Sequence, residues 1–71
     1  MKDYAIVIFY SEEDNLYVAD LPDLEYCSAL GETPEEALRE ALRARDAWLD
    51  AAIASGRELP LPEKYRTNRL W

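Results

Sequence analysis

The stretch GETPEEAL, from Gly31 to Leu38, decides the fold because it predicts where the one long helix begins. Thr33 and Glu36 have the spacing of a capping box, in which two side chains satisfy backbone N–H groups at a helix start. Pro34 suits the first helical position, where its missing N–H is harmless. Adjacent helical residues point about 100° apart, so the two neighbouring glutamates do not converge as an acid/base pair. The stretch therefore predicts a helix cap rather than a catalytic site.

The following segment predicts a helix from Pro34 to about Ser55, with Gly56 as the residue that ends it. Apolar residues recur at helical spacing and predict one face that packs on a sheet. They are Leu38, Ala41, Leu42, Trp48, Leu49, Ala52 and Ile53. Arg45 interrupts this apolar stripe, and two interpretations stay open. Its stem snorkels along apolar surface, or its guanidinium meets a carboxylate.

Three segments rich in β-branched, aromatic and other apolar residues predict strands: Tyr4–Tyr10, Leu16–Asp20 and Tyr26–Leu30. We therefore expect an α+β fold, with a small antiparallel sheet in the order β-β-β-α and one long helix packed on one face. Prolines 60 and 62 suit an edge segment or an extended arm, and a fourth short strand stays an option. The expected core comprises Ile6, Ile8, Leu38, Leu42, Trp48 and Leu49. The first strand is apolar on both sides, so we expect another copy or a partner protein to cover its second face.

Composition limits the classes of function. A chain of 71 residues forms one domain with a thin core, here assigned to residues 1–71. With Cys27 as its sole cysteine and no histidine, it can form no intrachain disulfide and suits zinc poorly. Self-association, as a dimer or tetramer, is the expected support. The N-terminus resembles neither a signal peptide nor a membrane span, so we expect a cytoplasmic protein.

The net charge of −7 is unevenly distributed along the chain. Residues 1–63 hold five bases and fifteen acids, whereas the last eight residues, KYRTNRLW, hold three bases and no acid. An acidic body repels phosphate backbones and attracts basic proteins, so we expect no direct nucleic-acid binding. The basic tail is a possible exception, but the favoured interpretation is an ordered end that packs Leu70 and Trp71 on the body or on a neighbour.

An enzymatic role is disfavoured by the types of residue present. Asp3, Asp14, Asp20 and Asp23 could bind Mg²⁺ by their chemistry, but their spacing requires no convergence, and turn preference explains acids in turns. No histidine can serve as a general base or activate Cys27. We therefore predict no enzyme activity, no cofactor and no metal site.

Taken together, these segments resemble the N-terminal domain of HicB-type antitoxins over about residues 4 to 62. The matching residues are Pro22, Asp23, Leu24, Cys27, Gly31, Thr33, Glu35, Glu36, Ala37, Gly56, Pro60 and Pro62. The resemblance implies a partly degraded ribonuclease-H-like fold that binds and blocks a small basic RNA-cleaving toxin of the HicA type. Tyr26, Glu32 and Arg45 depart from the family pattern. The chain ends about nine residues after Pro62, so we expect no separate DNA-binding domain and no operator binding by that route.

The main functional hypothesis is a binding module that neutralises such a toxin by protein contact. The alternative is a homo-oligomeric protein of the same fold with another client, and a residual metal-dependent nuclease is a third option. Candidate partner-binding residues lie on or near the first hairpin. They are Tyr10, Glu12, Asp14, Tyr17 and Asp20.

Overall fold

The computed structural model describes residues 4–60, which form a three-stranded antiparallel sheet and one long helix. The strands are β1 (Val7–Ser11), β2 (Leu16–Asp20) and β3 (Ser28–Gly31), and the helix is α1 (Pro34–Ala54). The strands lie side by side in the order β1-β2-β3, so β2 is central. This confirms the predicted α+β arrangement. The described residues contain no fourth strand, and Pro62 and the basic tail lie outside them.

Both ends of α1 are fixed as the sequence predicts. The Thr33 hydroxyl accepts a hydrogen bond from the Glu36 N–H at 3.0 Å, and the Glu36 carboxylate accepts one from the Glu32 N–H at 2.6 Å. At the other end, Gly56 has a φ of 75° and Ser55 is the C-cap. Bonds from Gly56 N–H to the Ile53 carbonyl and from Arg57 N–H to the Ala52 carbonyl complete a Schellman motif.

Two strands differ from their predicted bounds for physical reasons. β1 begins at Val7 rather than Tyr4 because it pairs with the five residues of β2, from Val7 opposite Asp20 to Ser11 opposite Leu16. β3 begins at Ser28 rather than Tyr26. Its predicted first residue has a φ of 60°, which no extended strand allows, and the N–H and carbonyl of Cys27 bond within the preceding loop.

The core lies between the sheet and α1, and its helical side consists mainly of alanines. Ala37 and Ala41 are fully buried against the sheet, where Ala19 is also fully buried. Gly31 lies so close to the first turn of α1 that an added Cβ would be 2.4 Å from the Ala37 nitrogen. The largest fully buried side chains are Leu21 and Leu24. Small residues therefore set a close distance between helix and sheet, and the loop after β2 supplies the bulk of the core.

Two of the predicted core positions are wrong: Leu38, because alanines form the buried stripe of α1, and Ile8, because α1 packs mainly on β2 and β3 rather than on the edge strand β1. Leu49 is buried, Ile6 and Trp48 pack against the core from its edge, and Leu42 is partly buried. Leu38 and Ile8 are instead 38% and 36% exposed. The buried stripe of α1 is turned toward Ala37 and away from Leu38, because alanine allows the closest approach to the sheet.

Arg45 adopts the second of its two predicted arrangements. Its side chain is 19% exposed, and its Nε donates to the Asp46 carboxylate at 3.1 Å. The charge on the apolar stripe therefore meets a carboxylate, which the helix itself provides.

Candidate protein-binding surface

The tip of the first hairpin is held by side-chain contacts. Tyr10 and Tyr17 lie opposite each other in register, and their rings make an edge-to-face contact with centroids 5.1 Å apart. The Tyr10 hydroxyl bonds to the Asn15 side-chain oxygen at 3.2 Å, and the Ser11 hydroxyl bonds to the Asp14 carboxylate at 3.1 Å. The turn that carries Asp14 therefore has a defined shape.

The five residues predicted to bind a partner do not form one surface. Tyr10 and Tyr17 lie on the helix side of the sheet, because residues two apart on a strand share a face and Ala19 faces the helix. Glu12 and Asp14 are exposed in the turn. Asp20 lies at the far end of β2, on the other face. The structure thus brings the two tyrosines together at the turn and separates Asp20 from them.

The sheet face opposite the helix carries a row of apolar side chains that the residue-by-residue prediction did not name. Phe9, Val18 and Leu30 lie directly opposite one another on β1, β2 and β3. Phe9 is 50% exposed and Leu30 is 49% exposed. No element formed by residues 4–60 covers them. Alternation along the predicted strands was the signal that could have identified this row, which we call the open-face row.

The surroundings of the open-face row are acidic. Residues 4–33, which contain the whole sheet, include no lysine or arginine. They include seven acids: Glu12, Glu13, Asp14, Asp20, Asp23, Glu25 and Glu32. Every base among the described residues lies in α1 or after it. The sheet and its connecting loops, which we call the acidic sheet layer, therefore carry charge of one sign, with an apolar strip across the sheet.

The loop between β2 and β3 is anchored at several points and presents one tyrosine to solvent. The N–H of Leu21 bonds to the Cys27 carbonyl, and the loop carbonyl of Glu25 accepts a 3.0 Å bond from the indole of Trp48. Tyr26 is 96% exposed despite this anchoring. The Arg57 guanidinium lies 5.1 Å from the centre of the Trp48 ring, in cation–π geometry.

Cys27 is a free, buried thiol. Burial raises its pKa above the ordinary value, and the nearby Asp20 carboxylate raises this pKa further. Both effects favour the neutral thiol, which is a poor nucleophile. Its environment is that of a small apolar core residue, as the sequence indicates.

The acids that were considered as metal ligands do not assemble in the part of the chain described. Asp3 lies outside it, and residues 4–60 contain no group of three or more potential metal-ligating side chains. The same residues contain no helix with the length and apolar character that crossing a membrane requires.

Comparison with known proteins identifies the family. Residues 4–69 match the family described as "HicB_like antitoxin of bacterial toxin-antitoxin system". The chain is also 41% identical over 58 residues to the UPF0150 protein ssl0259 of Synechocystis sp., an alignment that covers 82% of this chain and 78% of that protein. No solved structure gives a significant match. The fold, the helix cap and these matches agree, and the chain belongs to the HicB-like antitoxin family.

Proposed function

We propose that this protein neutralises a small basic RNA-cleaving toxin of the HicA type by direct protein–protein contact. The observation that carries the proposal is the acidic sheet layer with its open-face row, in a chain of an antitoxin family. An apolar strip within a field of one sign suits a partner of opposite charge, because complementary fields speed encounter and apolar contact slows dissociation.

The proposed action is non-enzymatic. Family membership favours inhibition by binding, and the neutral Cys27 thiol is not activated for attack. A toxin covered by this protein would lose access to RNA because the acidic layer would occupy the basic surface that otherwise binds phosphate.

A second candidate is a homo-oligomeric protein of this fold that acts on another client. The exposed Ile8 and Leu38 favour it, because they are additional apolar side chains available to a second copy. Both roles can coexist in one assembly, but only the first requires a toxin.

Co-expression tests the proposed function. This chain and a panel of HicA-type toxins, including any encoded beside it, are placed under separate inducible promoters in bacteria. Growth is measured, and complexes are isolated by size-exclusion chromatography. We expect one toxin to be tolerated only when this chain is present and to elute with it. An unrelated acidic protein of similar size controls for attraction by charge alone. If no toxin is neutralised or co-purified, the proposal is wrong.

A further inference from the structure

We infer that the toxin docks on the open face of the sheet, with Phe9, Val18 and Leu30 as its apolar anchors. This inference rests on the proposed function and specifies the surface that performs it. It replaces the predicted site on or near the first hairpin with a row across all three strands.

The geometry of the open-face row suits an anchor. Directly opposed residues on neighbouring strands have Cβ atoms about 5 Å apart, so three of them form a strip about 10 Å wide. Val18 lies on the central strand, and the register places Phe9 and Leu30 on either side of it. Strand pairing holds all three backbones, so a partner meets a preformed surface and binding requires little ordering.

Half-exposure of the two outer side chains is the second argument. Phe9 and Leu30 are the apolar members of the row that remain in water, and a partner would remove that surface from solvent. Aromatic side chains are enriched among the residues that stabilise protein interfaces. Phe9 contributes this kind of anchor with only two rotatable side-chain bonds.

Charge selects a basic toxin over a second copy of this chain. In a symmetric dimer through this face, Asp20 and the acidic turns of both copies would approach one another, and residues 4–33 contain no base to offset them. Like charges opposed in this way cost binding energy and slow association. A basic partner would instead place positive charge opposite Asp20 on one side of the row and opposite Glu12, Glu13 and Asp14 in the turn on its other side.

The test uses the toxin identified by co-expression, purified and titrated against three variants of the full chain by calorimetry. Phe9→Ser and Leu30→Ser remove the outer anchors, and Ile53→Ser removes an apolar side chain of similar size that is 62% exposed on α1. We expect each anchor variant to bind about 10- to 30-fold more weakly, as for interface residues worth about 1.4 to 2 kcal/mol. Ile53→Ser is expected to bind like the unmodified chain.

Circular dichroism melts separate binding from folding. About half of the Phe9 and Leu30 side chains is already in solvent, so each variant should melt at a lower temperature but remain folded at the temperature of the titration. If Phe9→Ser and Leu30→Ser bind within threefold of the unmodified chain, the toxin uses another surface, and this inference is wrong while the proposed function stands. If the unmodified chain binds no toxin, both are wrong. Sedimentation equilibrium tests the other occupant: a dimer that the anchor variants convert to monomer would assign the face to a second copy and overturn the choice of the toxin.

Discussion

Replacing Gly31 with alanine should destabilise the protein by about 2 to 3 kcal/mol. The new Cβ would lie 2.4 Å from the Ala37 nitrogen and 2.8 Å from both the Ala37 Cα and the Glu36 carbonyl carbon. Ordinary contact begins at 3.4 Å, so the start of α1 must move by about 1.0 Å (3.4 − 2.4). The obstructing atoms are backbone, which no rotamer change can relieve. Overpacking costs about 1 to 3 kcal/mol, and a backbone overlap of this depth belongs at the upper end of that range. The smaller entropy of the unfolded alanine chain offsets less than about 1 kcal/mol, which leaves a net loss of about 2 to 3 kcal/mol.

The expected loss is a large fraction of the total stability. A chain of this length is stable by roughly 4 to 10 kcal/mol, and 1 kcal/mol shifts the midpoint of a small domain by about 4 to 8 °C. Urea and thermal melts followed by circular dichroism therefore detect the change easily. Displacing α1 also strains its first hydrogen bond, which runs from Ala37 N–H to the Thr33 carbonyl at 2.9 Å.

Gly56 provides a matched control because it is constrained by backbone angle rather than by space. Its φ is 75°, and an added Cβ would meet nothing within 4 Å. Gly56→Ala should cost about 1 kcal/mol, and Gly56→Asn should recover part of it because asparagine tolerates the left-handed conformation. At position 31, asparagine should be worse than alanine. If Gly31→Ala costs no more than Gly56→Ala, the close approach of helix and sheet described above is refuted.

Three further predictions concern single side chains. Tyr26→Gly should raise the free energy of unfolding by about 1 kcal/mol in urea melts. Tyr26 has a strained φ of 60°, and its side chain is almost fully exposed, so contacts within residues 4–60 do not compensate for the strain. An unchanged midpoint would contradict this prediction. Thr33→Ala should cost about 1 kcal/mol and Thr33→Ser much less, since serine keeps the cap; equal losses would exclude a capping role. Cys27 should resist thiol reagents at pH 8 until urea unfolds the chain, and rapid labelling of the native protein would refute its burial. Because the folded pKa of Cys27 is raised, the stability that this thiol contributes is complete below the unfolded pKa of about 9.0 and is lost as the pH rises through the higher folded pKa.

Local chemistry made the helix and the central strand predictable. The bounds of β2 match the predicted Leu16–Asp20, because charged turn residues flank an apolar run on one side and Pro22 follows on the other. The cap at Thr33 and the end at Gly56 depend on contacts within one turn of helix, which sequence spacing specifies directly.

Features that depend on contacts across the fold could not be read in the same way. The rotation of α1 toward Ala37 is set by the small residues Ala19 and Gly31 on the sheet, and a helical wheel drawn for α1 alone favours its larger residue, Leu38. The burial of Leu21 and Leu24 depends on how the loop after β2 folds back under α1. Hydropathy alone cannot distinguish such a loop from an exposed turn.

The candidate surface was predictable in kind but not in position. The first strand is apolar on both faces, which indicated that another copy or a partner protein would pack on one of them. The excess of acids indicated that a partner would be basic. Placing the anchors required the register, because Leu30 becomes part of the row only when β3 pairs Leu30 with Val18. A shift of one residue in β3 would turn Leu30 toward the helix and Ala29 outward, and the row would end at β2. The proposed docking surface therefore depends on strand register, and it predicts that a variant that shifts β3 loses toxin binding while Phe9 and Val18 remain in place.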